Sequence, residues 1–346
     1  MSLRTLLPCL LAMLVVLPAC VAGPGNGPGD GEGAVPPVAA DADPSGAAPP
    51  PPSPSPSASP SRDCSDPLDC WERSVPIGAF DAEVVPEASG LVASLRNPGL
   101  YYLLDDGPGT TQVWVLRPEA GLVGATTVVG LQGRDTEGLA VGACGPGDPV
   151  TCVYVGDIGD NRRTREQVRV HRFVEPDLAV GVPAEVGADS VALRYPDGAH
   201  NAEALLVDAA GVPYIVTKAR FDSDTGVTGP TGLYRAPGYA DGTMEWLGDL
   251  TLPPTRRTLA AGVVGNVVTG GDSRAGHVLL RTYDAVLSFR SPDPAAPLAG
   301  LPTWPVFELP SPVLRQPEAV AFASDGCGYA MVSEGDGDLW VAACRP

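Results

Sequence analysis

The chain has little lysine, little histidine and no long apolar run beyond its N-terminal end. Lys218 is the sole lysine among 346 residues, and 41 acidic against 22 basic residues give a formal net charge of −19. An acidic chain without a basic stripe is not expected to bind nucleic acid or anionic lipid headgroups. The three histidines, His171, His200 and His277, lack the spacing typical of metal ligands. The glycine-rich stretch 23–33 precedes no strand–helix unit, which argues against a phosphate-binding loop.

The first 22 residues are predicted to be a targeting segment. Arg4 gives a positive start, and the apolar run 6–17 is too short to span a bilayer as a mature helix. Leu17-Pro18-Ala19-Cys20 resembles the lipobox of bacterial lipoproteins, in which Cys20 would become the lipidated first residue. The alternative is an ordinary signal peptide cut near Ala22. We therefore expect an extracytoplasmic protein, anchored to the cell membrane only through a lipid, or secreted if Cys20 is not lipidated.

Residues 23–62 are rich in glycine, proline, alanine and serine, ending in the proline–serine run 49–61. Such a composition cannot bury a core and predicts an extended, disordered tether. The remaining residues, 63–346, are numerous enough for one sizeable core and are predicted to form a single, monomeric domain.

Six cysteines follow the tether, an even number that predicts disulfides in an exported chain. Cys144 and Cys152 flank the turn 145–148, and Cys327 and Cys344 lie symmetrically about Gly335-Asp336. Residues opposed across an antiparallel pair lie within disulfide reach. These spacings predict Cys144–Cys152 and Cys327–Cys344, which leaves Cys64–Cys70 to close a small loop.

The domain has many short β-rich runs divided by glycine, proline and aspartate, and a repeated unit of strand, turn, strand and strand. The first strands of the repeat are 89–93, 137–141, 203–207, 267–269 and 318–322; the second strands are 101–105, 153–157, 214–218, 277–281 and 329–334. The fifth unit lacks a fourth strand, which residues 75–80 can supply. The sequence thus predicts an all-β, five-bladed β-propeller closed by an N-terminal strand. Six blades is the main alternative, and an open sandwich is a further one.

In such a ring the starts of the first strands and the ends of the second strands meet at one mouth. Charged and polar residues occupy both places, so this acidic mouth is the predicted ligand-binding site. The first-strand residues are Glu87, Glu137, Glu203, Thr269 and Glu318; the second-strand residues are Asp105, Asp106, Asp157, Lys218, Arg281 and Glu334.

One local motif places three oxygen-bearing side chains within five residues. Asp157, Asp160 and Asn161 would suit Ca²⁺, the one cofactor the sequence suggests, or they would cap the turn through bonds to the backbone. The run 222–226 has part of a calcium loop and is expected to be a turn. Ser273, with His277 nearby, resembles an esterase fragment, but it is expected in the turn between two strands at the opposite mouth, away from the carboxylates and without the base and oxyanion hole that a nucleophile needs.

Several of these segments resemble a family of exported bacterial propeller proteins, mostly of unassigned function and loosely related to propellers labelled phytase-like or esterase-like. The resemblance covers roughly 87–334, and 157–161 (Asp-Ile-Gly-Asp-Asn) is its most specific part. Relatives tend to carry Asn-Asp-Ser-Gly where this chain has Leu104-Asp105-Asp106-Gly107. They also tend to carry Trp-Glu-Asp where it has Thr136-Glu137-Gly138.

Three functions are compatible with this sequence. The first is a non-catalytic binding or scaffold propeller that presents its acidic mouth to a small molecule or an envelope protein. The second is a calcium-dependent phosphoester hydrolase in which Lys218 and Arg281 contact phosphate oxygens. The third is a glycosidase that uses two channel carboxylates. The mouth is poor in tryptophan, which disfavours a sugar site, and the first function is preferred.

Overall fold

The computed structural model describes residues 71–222, 224–225, 227–254, 265–324 and 328–345. Within these ranges the chain is almost wholly β, with two short 3₁₀ helices, Leu178–Val180 and Leu298–Thr303. Neither helix is long and apolar enough to cross a membrane. The predicted targeting segment, the tether, and the cysteines at 20, 64, 70 and 327 lie outside the described residues.

The strands form five four-stranded antiparallel blades. Strand β1 (Val75–Ala79) precedes the first blade, which contains β2 (Ala88–Ala93), β3 (Tyr101–Asp105), β4 (Gln112–Arg117) and β5 (Gly121–Val129). The second blade contains β6 (Thr136–Ala143), β7 (Thr151–Asp157), β8 (Val168–Val174) and, after the short β9 (Glu185–Gly187), β10 (Asp189–Arg194).

The third blade contains β11 (Ala202–Val207), β12 (Pro213–Thr217), β15 (Gly232–Arg235) and β17 (Glu245–Asp249). Between these lie the small hairpin β13 (Phe221–Asp222) and β14 (Val227–Thr228), and the short β16 (Gly242–Thr243). The fourth blade contains β18 (Val268–Arg274), β19 (His277–Thr282), β20 (Val286–Arg290) and β21 (Val306–Leu309). The fifth contains β22 (Pro317–Phe322), β23 (Tyr329–Ser333) and β24 (Asp338–Ala342).

Strand β1 completes the fifth blade, as the sequence predicted. It pairs with β24 in antiparallel register, Val75 opposite Val341 and Ala79 opposite Asp338. The innermost strands β2, β6, β11, β18 and β22 contact one another in order around the ring, and β22 contacts β2. The ring therefore closes with five blades, and the six-bladed alternative is excluded.

Burial falls from the innermost to the outermost strand of each blade, which explains the residue types. Every residue of β2, β11 and β22 is buried, whereas β1 and β17 are mostly exposed. Inner strands are packed on both faces, so they are continuous runs of small and apolar residues. Leu91, Leu205 and Val320 are fully or almost fully buried there, and no water-facing alternation marks these strands.

Two features of the sheets were not predicted. The short β9 pairs in parallel with β5, and β16 pairs in parallel with β10, so each adds a fifth strand to the preceding blade. Both come from the chain of the next blade and tie neighbouring blades together at the rim. Segments of three and two residues carry no periodicity that sequence reasoning can detect.

The predicted disulfide Cys144–Cys152 is present, with the two Cα atoms 5.0 Å apart. It joins the end of β6 to the start of β7 across the turn between them. Cys344 is also disulfide-bonded. The proposed pairings Cys327–Cys344 and Cys64–Cys70 involve cysteines outside the described residues and stay predictions.

Candidate functional site

A β-bulge at the start of every innermost strand builds the mouth. In each blade one residue of the inner strand has no partner on the second strand, because the register shifts around it. The unpaired residues are Ser89, Glu137, Glu203, Thr269 and Glu318. A bulge turns the side chain of its extra residue away from the regular strand alternation. Five bulges at one level therefore define a ring of five side chains around the channel.

The two kinds of bulge residue behave differently. The short hydroxyl side chains of Ser89 and Thr269 bond to the neighbouring blade. Ser89 Oγ donates to the carbonyl of Thr136 at 2.9 Å, and Thr269 Oγ1 donates to the carbonyl of Pro317 at 2.7 Å. Each acceptor precedes the bulge of the next blade, so these bonds join adjacent blades. The three glutamates, Glu137, Glu203 and Glu318, line the central cavity instead.

The residue after each bulge is glycine or alanine, because neighbouring inner strands approach closely there. A Cβ on Gly138 would lie 2.7 Å from Cβ of Leu205, and a Cβ on Gly270 would lie 2.5 Å from the carbonyl oxygen of Glu318. Contacts this short do not occur between real side chains and their neighbours. A glycine at position 138 therefore suits the close packing of this ring.

The second strands contribute two successive positions with distinct roles. The first position pairs with the residue before the bulge and bonds to the backbone; it is occupied by Asp105, Asp157, Thr217, Thr282 and Ser333. In blade one, for example, Asp105 Oδ1 accepts the N–H of Glu87 at 2.8 Å. The next position is occupied by Asp106, Lys218, Tyr283 and Glu334, which line the channel, and by Ile158, which packs in the hydrophobic core beside Gly138.

These side chains enclose a cavity of about 150 Å³ at the mouth. Its lining includes six carboxylates, from Glu87, Asp106, Glu137, Glu203, Glu318 and Glu334, together with Ala88, Ser89, Asn161, Lys218, Tyr283 and Gln316. Seven of the eleven side chains predicted for the mouth are therefore brought together there. Among the lining residues that the structure describes, Lys218 is the one cation.

Four predicted mouth residues do not line this cavity. Asp105 and Asp157 occupy the capping position, one residue before the channel-facing one, and Thr269 bonds to the next blade. Arg281 is fully buried within β19, two residues before Tyr283. Tyr283 and Gln316 were missed, although Tyr283 stands where Lys218 stands one blade earlier.

Lys218 is held by the ring on two sides. Its Nζ donates to Glu203 Oε1 at 2.5 Å and to the hydroxyl of Tyr283 at 2.9 Å. Burial alone would lower the pKa of Lys218, but the charges of Glu203 and Glu318 outweigh it and raise the pKa well above its usual value. Lys218 is therefore a fixed cation that neutralises Glu203.

The other ring carboxylates repel one another. Burial, reinforced by the charges of Glu87 and Glu334, raises the pKa of Asp106 to about 8. Burial and the charge of Glu203 raise the pKa of both Glu137 and Glu318 well above their ordinary value. The pKa of Glu334 is raised by burial and by Glu87. The mouth thus gathers more acidic groups than the one cation among its described lining residues can neutralise.

The family-like motif 157–161 forms a loop held by buried charges. Asp157 binds the Arg165 guanidinium through both oxygens, at 2.9 and 2.8 Å, and Oδ1 also accepts the N–H of Asp135 at 3.1 Å. Asp160 Oδ2 accepts the N–H groups of Thr164 and Arg165, each at 2.6 Å. These contacts match the turn-capping alternative. Asn161 lines the cavity.

A different trio brings its oxygens together. One side-chain oxygen from each of Asp106, Asp135 and Glu137 lies within 4.8 Å of the other two. Asp135 directly precedes β6 and lies outside the repeated strands, which is why the repeat did not point to it. These three residues are the best candidates in the described part of the chain to hold a metal ion.

Two secondary predictions agree with the geometry. Asp222 Oδ1 accepts the N–H groups of Asp224 and Thr225 at 2.9 and 3.1 Å, so this segment forms a capped turn. Ser273 lies near the end of β18, not in the turn after it, and its hydroxyl donates to the carbonyl of Val207 at 3.1 Å. His277 contacts Ser288 Oγ at 2.8 Å, so the described contacts pair His277 with Ser288 and Ser273 with Val207.

The chain matches no known protein-family profile. No curated protein shows significant sequence similarity to it. Among solved structures it is similar in fold to the PQQ-bound aldose sugar dehydrogenase of Streptomyces coelicolor, at 9% identity and a TM-score of 0.43 over 80% of this chain and 98% of that one.

Two further structures are similar at the same level. The glutaminyl cyclase of Myxococcus xanthus shares 10% identity, with a TM-score of 0.41 over 80% of this chain and 97% of that one. An auxiliary nutrient binding protein from Bacteroides thetaiotaomicron shares 10%, with a TM-score of 0.38 over 80% and 73%. At these identities and TM-scores the likeness says nothing about what this chain binds.

Proposed function

We propose that this propeller is a binding module whose ligand is a cation held in the acidic mouth. The observation that carries the proposal is the charge of the cavity, six carboxylates against the single cation Lys218. Lys218 already pairs with Glu203. A ligand with positive charge would relieve the repulsion among the remaining five carboxylates.

Burial makes this charge imbalance matter. Glu137 and Glu203 are 4% and 3% exposed, and Glu203 Oε2 accepts no hydrogen bond from the part of the chain that is described. Burying a charged carboxylate without a partner costs several kcal/mol of free energy, and protonating the carboxylate to avoid that cost takes a similar amount. A cation bound at the mouth returns that free energy as affinity.

The size of the cavity limits the ligand. About 150 Å³ leaves room for several water molecules, since one water needs at least about 10–15 Å³ of such space. That volume suits a hydrated metal ion, or the ammonium or guanidinium end of a longer molecule whose remainder stays outside the ring. The ligand is therefore a small cation, or the tip of a cationic partner.

The same geometry favours binding over the two catalytic alternatives. A phosphoester hydrolase would need free cations for phosphate oxygens, but Lys218 is engaged with Glu203 and Arg281 does not line the cavity. A glycosidase usually offers aromatic faces to the sugar, and Tyr283 is the sole aromatic side chain among the described lining residues. The placement of the cations and the scarcity of aromatic side chains therefore disfavour both hydrolytic reactions.

We also propose that the module works outside the cytoplasm. The disulfide Cys144–Cys152 supports this, because disulfides persist mainly in oxidising compartments. With the lipobox-like Cys20 and the tether 23–62, the propeller would be held away from the membrane surface.

The test is a calorimetric titration of the full chain, freed of metal by chelation, with Ca²⁺, Mg²⁺ and Mn²⁺ and with spermidine as an organic cation. At least one cation is expected to bind, more weakly as salt is raised, because ions screen charge attraction. Glu318→Gln should weaken binding, and the exposed Glu119→Gln at the opposite end of the first blade should not. If no cation binds, the proposed function is overturned.

A further inference from the structure

We infer that Asp106, Asp135 and Glu137 form a site for a divalent cation of the calcium type, positioned by the loop 157–161. This inference rests on the proposed function, because it names one class of cation and its ligands within the acidic mouth. The residues come from three places: Asp106 follows β3, Asp135 precedes β6, and Glu137 is the bulge residue of β6.

The spacing of the three oxygens fits a single hard ion. Ca²⁺ takes oxygen ligands at about 2.3–2.6 Å, so two oxygens bound to one ion are at most about 5 Å apart. The three carboxylate oxygens lie within 4.8 Å of one another. Mg²⁺ demands near-octahedral geometry, whereas Ca²⁺ accepts flexible sets of oxygen ligands, so Ca²⁺ is the first ion to test against this irregular trio.

A second observation points independently to a missing ligand. Glu137 is 4% exposed and lines the cavity. Lys218, the one cation among the described lining residues, donates to Glu203 and Tyr283, so it leaves Glu137 without an ion-pair partner in the lining. Buried carboxylates are normally hydrogen-bonded, paired or bound to metal. The bulge therefore directs a buried and uncompensated acid toward two others, an arrangement that a cation completes.

The family-like loop gives the site its geometry. Asp157, clamped by Arg165, accepts the backbone N–H of Asp135 at 3.1 Å, and Gly159 donates its N–H to the Asp135 carbonyl at 3.0 Å. A Cβ on Gly159 would lie 2.3 Å from Cγ of Asp135. Asp157 and Gly159 are thus positioning residues, and Gly159 is required because the Asp135 carboxylate occupies the space of its side chain.

The remaining ligands are available nearby. Ca²⁺ takes six to eight oxygens, commonly including amide oxygens and water. Asn161 lines the same cavity, and the cavity has room for several waters beside an ion. The loop that positions Asp135 therefore also brings an amide side chain to the mouth.

The test is calorimetric titration of the chelator-treated full chain with Ca²⁺, alongside Asp135→Asn and Gly159→Ala. Asp135→Asn removes a ligand without changing its size. Gly159→Ala removes no charge but displaces the Asp135 carboxylate. Both are expected to weaken Ca²⁺ binding about 10- to 100-fold, as losses of metal ligands and of their supporting contacts do. Melting in EDTA checks that each variant is folded.

Two controls separate this site from general acidity. Glu318→Gln removes one cavity charge outside the trio and should weaken Ca²⁺ binding far less than Asp135→Asn; Glu119→Gln should leave it unchanged. If folded Asp135→Asn and Gly159→Ala bind Ca²⁺ like the wild type, the inference fails while binding of any cation would still support the proposed function. If another cation binds the wild type but Ca²⁺ does not, the inference alone fails; if none of Ca²⁺, Mg²⁺, Mn²⁺ and spermidine binds, both fail.

Discussion

Replacing Asp106 by asparagine is expected to stabilise the propeller at alkaline pH and to change its stability little at acidic pH. Burial and the charges of Glu87 and Glu334 raise the pKa of Asp106 from 3.8 to about 8 in the folded protein. Between those values the native state holds a proton that the unfolded state has released. Stability therefore falls as pH rises through this range, and the full penalty applies above about pH 8.

The size of the effect follows from the raised pKa. About four pKa units at 1.36 kcal/mol each give an upper bound of roughly 6 kcal/mol. Asp106 is only partly buried, so solvent screening reduces the penalty to about 2 kcal/mol. For a domain of this size ~2 kcal/mol corresponds to roughly 4–8 °C in melting temperature.

The assay is thermal unfolding in EDTA at about pH 4 and about pH 9, which bracket the expected transition. Asp106→Asn should melt several degrees above the wild type near pH 9 and within about 1 °C of it near pH 4. Glu119→Gln, which is exposed on the turn after β4, should have no such dependence. Equal shifts at both pH values, or none near pH 9, would refute the idea that the mouth stores uncompensated charge.

Three other changes test the scaffold. Asp157→Ala removes the partner of the buried Arg165 guanidinium, which lies 2.8 Å from Asp157 Oδ2, and should cost about 3–5 kcal/mol in unfolding free energy. Arg96→Ala, which breaks an exposed ion pair, should cost less than about 1 kcal/mol. Replacing both Cys144 and Cys152 by serine should cost about 2.5 kcal/mol for a loop of eight residues, measured by urea unfolding. Gly138→Asp should destabilise by about 1–3 kcal/mol because its Cβ would overlap a neighbouring leucine; an unchanged melting temperature would contradict the close approach of the inner strands.

The blades were predictable because each repeats the same order of strand types at similar spacing. The pairing of β1 with β24 was predictable because residues 338–342 had no later strand to cover their edge. In contrast, β9 and β16 depend on contacts between neighbouring blades that no local pattern records.

The location of the mouth was predictable from the sequence. On some second strands, however, the predicted channel-facing residue was one position too early. Unless the pairing register of the strands is known, a charged residue at the end of a second strand cannot be assigned to the capping position or to the channel-facing position. Asp157, at the end of the second strand of blade two, bonds to the backbone, whereas Lys218, after the second strand of blade three, faces the channel. The five bulges, including the one at Ser89, supply the register that separates these positions.

Asp135 could not be found from the repeat at all. It lies between strands, and its carboxylate is placed by a close approach to Gly159, 24 residues later in the chain. The motif 157–161 was recognisable as unusual, but its contacts assign it the role of holding Asp135 in position. A conspicuous motif can thus mark mainly the support of a site, while the three carboxylates proposed to hold the ligand lie outside it.

A cation is proposed to occupy the acidic mouth beside Asp106, Asp135 and Glu137. The most direct measurement is an anomalous difference map from crystals of the protein soaked in Mn²⁺, an oxygen-binding ion that serves as a marker for Ca²⁺. We expect a peak within about 2.5 Å of one oxygen from each of the three carboxylates. A map with no peak at the mouth, while the soaked ion is seen elsewhere on the protein, would contradict it.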